Sequence, residues 1–252
     1  MPEAVSDNAG STVVDPTRPQ RSSPARAAAC EMLEIASEAA MRLYYAPGAC
    51  SLAPHIVLRE ADRRFDLERV DLKTHRTASG VDFFTINRKG YVPALQLDGP
   101  GSPILTEVPA IVQYIADLAQ DARLAPPSGT FARYHLQEWL NFIATELHKK
   151  FGLLFDRAIP AAVAEHVRGA IGGRLLYLQD ALDDRAFLMG ETFTVADAYL
   201  FVMLQWCPLH GIDLGLYPNL DDYESRIARR PAVQAALAAE GLLEHHRYRR
   251  SA

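Results

Sequence analysis

In Tyr44-Tyr45-Ala46-Pro47-Gly48-Ala49-Cys50-Ser51-Leu52-Ala53-Pro54-His55, a Pro-Gly turn delivers a thiol and a hydroxyl to the point where an apolar helical pattern begins. The first turn of a helix has unpaired backbone N–H groups and the positive end of the helix dipole, and both favour a thiolate. Cys50 therefore reads as a nucleophile with a depressed pKa. It also reads as a residue that holds a small partner's thiol or thiolate, by hydrogen bonding or by exchange. The competing reading is a small buried hydrophobe. Ser51 either caps the helix with its hydroxyl or donates a hydrogen bond to a nearby thiolate.

Three further groupings carry polar chemistry. Val92-Pro93 opens a strand-like run, where proline belongs at an edge or turn, and a cis bond there would leave the Val92 backbone open to a peptide-like ligand. Thr106-Glu107 precedes a strong helix. Glu107 reads either as a first-turn acid that gains from the dipole or as the receiver of a ligand ammonium, with nearby N–H groups taking the carboxylate of an amino-acid headgroup. Asn141, Thr145 and His148 are spaced four and three apart, so regular helix geometry puts them on one face that could line a cleft, with Lys149 beside it. Glu146, His148, Lys149 and Lys150 read equally well as a solvated charged face.

These residues need elements to position them. RLYYA is a strand ended by Pro47-Gly48, and LAPHIVLREA has helical apolar spacing. FDLERVDL is a second strand, HRTASG a polar connection, VDFFTIN a short helix, VPALQLD and ILT two more strands, and EVPAIVQYIADLA an amphipathic helix. The predicted order is β, α, β, α, β, β, α. Ala125-Pro126-Pro127-Ser128-Gly129 reads as a linker, after which long amphipathic segments replace strands. Thr194 and Asp197 form a near capping box at the start of VADAYLFVMLQWC, with Phe193 as its apolar partner. The expected organisation is an extension over 1–40 with a helix at 25–40, an α/β unit over 41–124, a linker over 125–129, an all-helical unit over 130–243 and a basic tail over 244–252.

The chain has 252 residues, 49% of them hydrophobic, which is enough for a sizeable core. Its formal charge of −5 supplies no general field for nucleic acid or an anionic membrane. No apolar run approaches the roughly 18 residues of a membrane span, and the first residues lack a secretory pattern, so a cytoplasmic setting is the default. Cys30, Cys50 and Cys207 show neither a disulfide framework nor a metal-binding cadence, and no metal is expected.

From Met41 to about Leu243 the chain resembles the glutathione S-transferases, most closely the bacterial beta class. YYAPGACSLAPHIVLRE, NRKGYVPAL, ILTEVPAIVQYIAD, EWLNFIATELHKKF and FTVADAYLF carry the resemblance. It implies a thioredoxin-like N-terminal domain, an all-helical C-terminal domain, a homodimer and glutathione as cosubstrate. By position, Cys50 would lie nearest the glutathione sulfur, with Ser51 its neighbour. Val92 before cis-Pro93 would bond the cysteinyl backbone, and Glu107 would receive the γ-glutamyl end. Asn141, His148 and Lys149 would line the site, with His148 near the thiol and Lys149 favouring anionic glutathione. Lys73, in Lys73-Thr74-His75-Arg76, would approach the glycyl carboxylate. Val108 stands where many relatives have serine, so only its backbone N–H is available to the γ-glutamyl carboxylate.

The implied activity is conjugation of the glutathione thiolate to small hydrophobic electrophiles, a detoxifying reaction. Glutathione-dependent thiol-disulfide exchange or reductive dehalogenation through Cys50 is the enzymatic alternative. A non-catalytic glutathione or hydrophobic-ligand binding protein is the other. Tyr45, Phe151 and Trp206 are candidate contacts for the second substrate.

Overall fold

The computed structural model describes residues 41–97 and 102–243, so the expected helix at 25–40 and the tail at 244–252 lie outside the described residues. Strand β1 (Met41–Tyr45) is central, and its period-2 pattern buries Met41 and Leu43 on one face and Tyr44 on the other. It runs parallel to β2 (Phe65–Asp71), with Leu43 opposite Leu67, and antiparallel to β4 (Ala94–Leu97), with Leu43 opposite Leu95. With β3 (Arg76–Thr77) and β5 (Ile104–Thr106) the sheet order is β3-β2-β1-β4-β5. A parallel pair needs a crossover, and α1 (Leu52–Glu60) supplies it. Helix α2 (Val108–Leu118) follows β5 and buries Ile111, Val112 and Ile115.

Two features depart from the predicted order. The short helix expected from VDFFTIN is a single 3₁₀ turn, Phe83–Thr85, started by the Asp82 carboxylate accepting from the Phe84 N–H and anchored by fully buried Phe83. The polar connection before it contains β3, paired antiparallel to β2 through Val70 and Thr77. A two-residue strand is too short to show alternation.

The second half is all helical. Helix α3 (Phe131–Phe142), a π-helical stretch over Ile143–His148 and α4 (Lys149–Leu154) form one continuous rod. Next come α5 (Ala161–Ala181), α6 (Val195–Trp206), α7 (Pro218–Ala228) and α8 (Pro231–Ala239). Every residue of α6 from Val195 to Leu204 is buried, as an all-round apolar helix requires. It packs against α1, α2, α3 and α7, so one core spans both halves. Arg133 on α3 pairs with Asp117 on α2, Arg230 pairs with Glu60 through two bonds of 2.6 and 2.8 Å, and the Val195 N–H donates to the Leu124 carbonyl at 2.9 Å. Among the described residues, no helix is long and apolar enough to cross a membrane.

The Thr194–Asp197 capping box is present. Fully buried Asp197 also does more than cap: Oδ2 accepts from the Thr194 N–H (2.7 Å) and hydroxyl (2.8 Å), and Oδ1 from the Leu188 N–H and the Tyr223 hydroxyl, both at 2.8 Å. One carboxylate thereby ties α6 to the preceding loop and to α7. Asp197→Ala strands all four donors in the core and should cost about 3 kcal/mol or more. Urea unfolding is the check: the midpoint should fall with the slope unchanged.

Candidate functional site

Cys50 is buried in the turn between β1 and α1, and its Sγ donates to the Val92 carbonyl at 3.2 Å. The Val92–Pro93 peptide bond is cis. The expectation of a depressed thiol pKa is corrected here: burial pushes the Cys50 thiol up to about 12, and the negative charge of Glu107 adds to the rise. Backbone N–H groups of Cys50 and Ser51 do act in the predicted direction, but burial outweighs them. Ser51 is also corrected. It stands at the N-cap of α1 without a side-chain cap bond; its hydroxyl instead exchanges 3.2 Å bonds with the N–H and carbonyl of Ala46, closing the Pro47-Gly48 turn. In the unliganded protein the hydroxyl proton thus goes to the Ala46 carbonyl.

The turn is held from the helical half. The Gly48 N–H donates to Glu240 Oε2 at 2.9 Å, and its carbonyl accepts from Trp206 Nε1 at 2.8 Å. Gly48 has φ +71, a region that favours glycine. Behind it, Arg59 Nε donates to His55 Nε2 at 2.9 Å, which leaves the His55 proton on Nδ1, 2.8 Å from Glu240 Oε1. His55 and the Glu240 side chain are both sealed from solvent. Sequence reading missed Glu240, whose partners lie far away along the chain.

Glu107 departs from its expected place in the first turn of α2. It is the N-cap residue, at φ 72 and ψ 122 with no side-chain cap bond, a backbone conformation that is costly for a residue with a Cβ. Its carboxylate accepts from Lys89 Nζ and, at 3.1 Å, from the Tyr91 hydroxyl. Lys89 Nζ also donates to Thr106 Oγ1 at 2.9 Å. The Lys89 bond is the main reason the Glu107 pKa lies below the ordinary carboxylate value, and the Lys149 charge adds to the shift. Val108 is the first residue of α2 and is buried. Lys89 and Tyr91 were not singled out from the sequence, where Asn87-Arg88-Lys89-Gly90 reads only as a turn.

The face predicted for Asn141, Thr145 and His148 is broken by the π-helical stretch, whose wider turns shift the phase of a 3.6-residue repeat. Asn141 and Thr145 are exposed, and the Thr145 hydroxyl donates to the Asn141 carbonyl at 3.0 Å. His148 turns inward: Nδ1 is 2.6 Å from the Tyr199 hydroxyl, and its ring meets those of Tyr199 and Trp206 at 5.7 and 5.3 Å. Burial, with the Lys149 charge adding to it, pulls the His148 pKa down to about 4, while burial pushes that of Tyr199 up. Tyr199 is therefore held protonated and the imidazole neutral, with one hydrogen bond shared between Nδ1 and the Tyr199 hydroxyl. Glu146 accepts from Lys150 at 2.9 Å and from Arg174 of α5 at 2.6 Å, on the side of the rod that meets α5.

Lys73 sits exposed in the β2–β3 turn, where its N–H donates to Asp71 Oδ1 at 2.8 Å; no interaction among the described residues joins its side chain to the Cys50 region. His75, from the same run, reaches the Gly90 carbonyl at 3.0 Å, beside Tyr91 and Val92. Phe151 is wholly core, whereas half-exposed Phe155 packs edge-on to Trp206 at 5.0 Å.

This arrangement matches a known family in both halves. Residues 39–117 match the sequence profile of the glutathione S-transferase N-terminal domain, and residues 142–231 that of the C-terminal domain. The chain belongs to the glutathione S-transferase family. Glutathione S-transferase GstA of Escherichia coli O157:H7 is 46% identical over 202 residues, spanning 80% of this chain and all of the relative. A sphingomonad glutathione S-transferase complexed with glutathione is 46% identical with a TM-score of 0.77, and a beta-class enzyme of Sphingomonas chungbukensis 49% identical with the same score. Each structure aligns with 80% of this chain and 99% of its own. The fold class is therefore that of this transferase family, a thioredoxin-like unit with a helical one.

A thiol pKa of about 12 leaves on the order of one in 10⁵ Cys50 side chains ionised at pH 7. Alkylation of unliganded transferase, followed at the Cys50 peptide by mass spectrometry, should therefore be slow at pH 7. Its rate should rise about tenfold per pH unit up to at least pH 10. A midpoint below pH 8 would contradict the burial argument.

Proposed function

We propose that the protein is a beta-class-like glutathione transferase, an enzyme in which glutathione lies against the thioredoxin-like half (41–124) and a small hydrophobic electrophile against the helical half (130–243), with 125–129 as the joint. One observation carries this reading: a buried neutral thiol, a cis-proline strand entrance, the Glu107 carboxylate and a neutral imidazole lie within electrostatic reach of one another, from both halves, in a chain 46% identical to GstA along that relative's whole length. The sphingomonad relative, solved with glutathione, supports glutathione as cosubstrate. Val92 would bond its cysteinyl backbone, Glu107 and the Val108 N–H its γ-glutamyl end, and Lys149 would supply positive potential. Asn141 is exposed and would contribute from the rim. Lys73 is the weakest of the proposed contacts, because nothing ties it to the rest.

The chemistry follows from the protonation states. Glutathione loses its thiol proton to solvent water on binding, its sulfur attacks an activated carbon, a C–S bond forms, and the leaving group departs with the electron pair of the bond that breaks. His148 Nε2–H would donate to the developing thiolate, and the Lys149 charge would lower the thiol pKa. Cys50, neutral and hydrogen-bonded to Val92, would steady the sulfur rather than attack. Incubation with glutathione and chlorodinitrobenzene should accumulate the thioether. Cys50→Ala should retain activity within about tenfold, whereas His148→Ala should lose on the order of 10²-fold in kcat/KM. Loss of turnover confined to disulfide substrates in Cys50→Ala would instead establish exchange chemistry.

The cytoplasm and a homodimer complete the proposal. Phe131 and Tyr134, 77% and 60% exposed on the first turns of α3, are large apolar side chains that fit a subunit contact. Light scattering should give twice the 27.9 kDa chain mass, and Phe131→Glu with Tyr134→Glu should shift the species toward the monomer.

A further inference from the structure

Glu107 is already engaged before any ligand arrives. Its carboxylate holds the Lys89 ammonium, and Lys89 is tethered at 2.9 Å to Thr106, the residue immediately before Glu107. An incoming α-ammonium group therefore meets an acid whose charge is compensated. The cation that compensates it must share the carboxylate or move.

The α-carboxylate of the same headgroup faces a shortage of donors. In the first turn of α2, the Ala110 and Ile111 N–H groups donate to the Glu107 carbonyl, and Pro109 has no N–H. That leaves the Val108 amide, on a residue whose side chain has no polar atom. A carboxylate with two oxygens accepts several hydrogen bonds, and one amide does not satisfy it.

We propose that Lys89 is a binding residue for the γ-glutamyl α-carboxylate of glutathione, and that the Lys89–Glu107 ion pair opens to take the zwitterionic headgroup between its two charges. This rests on glutathione being the ligand at Glu107. Bound this way, four charges alternate: the Glu107 carboxylate, the ligand ammonium, the ligand carboxylate and the Lys89 ammonium. The Glu107 and Lys89 side chains are 54% and 43% exposed, so their mutual attraction is weak and opening costs little. Lysine suits the exchange, since its three donors rotate on a flexible stem. Lys149 also acts on Glu107, so the pocket holds two cations near one anion and suits a tripeptide with net negative charge.

Calorimetric titration with two ligands tests the assignment: glutathione, and γ-aminobutyryl-cysteinyl-glycine, which lacks only the α-carboxylate. Lys89→Met should weaken glutathione about tenfold and raise its KM at unchanged kcat. It should leave the affinity for the decarboxylated analogue within about twofold, and Lys89→Arg should recover most of the glutathione affinity. Equal losses for both ligands, or unchanged or tighter glutathione binding in Lys89→Met, would overturn the role of Lys89 while leaving the glutathione site intact. Failure of the unsubstituted protein to bind glutathione would overturn the functional reading and this inference with it.

Discussion

The backbone of Gly48, bonded on both sides, is the constraint on which the site depends. Its N–H is taken by Glu240 and its carbonyl by Trp206, side chains 192 and 158 residues away in sequence. The Pro-Gly turn is closed locally by the Ala49 N–H donating to the Ala46 carbonyl at 3.0 Å and by the Ser51 hydroxyl, which leaves the Gly48 N–H and carbonyl to find partners elsewhere. Both partners come from the helical half. The turn that carries Cys50, two residues on, is therefore tied to the end of α6 and to the residue that follows α8, in addition to its own bonds. Trp206 carries the constraint further, since its ring also rests on His148. One indole thus registers the thiol turn of one half against the imidazole of the other.

At Cys50 two effects compete, and their sizes decide the chemistry. A helix N-terminus contributes roughly 0.3–1 kcal/mol to a neighbouring anion, up to about 2 kcal/mol in favourable partly buried geometry. The rise from 9.0 to about 12 corresponds to about 4 kcal/mol against the thiolate. Burial wins, and the thiol proton goes to the Val92 carbonyl. The residue at the start of α1 is consequently a donor in the resting protein, which fits conjugation by a glutathione sulfur better than attack by the protein's own.

Much of the architecture was legible because it is written in short-range patterns. The alternation in β1, the apolar spacing of α2 and the Thr194–Asp197 box each involve residues within a few positions of one another. The site was legible only in part. Cys50, Val92-Pro93, Glu107 and His148 sit beside turns, caps or family motifs that single them out. Glu240, Lys89 and Tyr91 matter through partners distant in sequence, and nothing local marks them. Asn141 and Thr145 were grouped with His148 by a 3.6-residue period, which the π-helical stretch over Ile143–His148 breaks. Ser51 has the right residue type at the N-cap, yet the Ala46 backbone competes for its hydroxyl and wins.

His148 and Lys149 are consecutive in the chain and divide the electrostatic work between them. The first is turned inward and held neutral by burial; the second stays exposed. The Lys149 charge helps to keep His148 neutral and to keep Glu107 ionised. Its sign matters differently at the two places: near the imidazole it disfavours the charged form, and near Glu107 it favours the carboxylate. In the proposed mechanism a charged imidazole would stabilise the glutathione thiolate more strongly, but it would have to be desolvated in the same pocket. Placing the full charge one residue away, in water, retains part of the field without that cost. The π-helical stretch sets which of the two neighbours turns inward, so the backbone irregularity that defeats a regular helical reading also arranges the charges of the site.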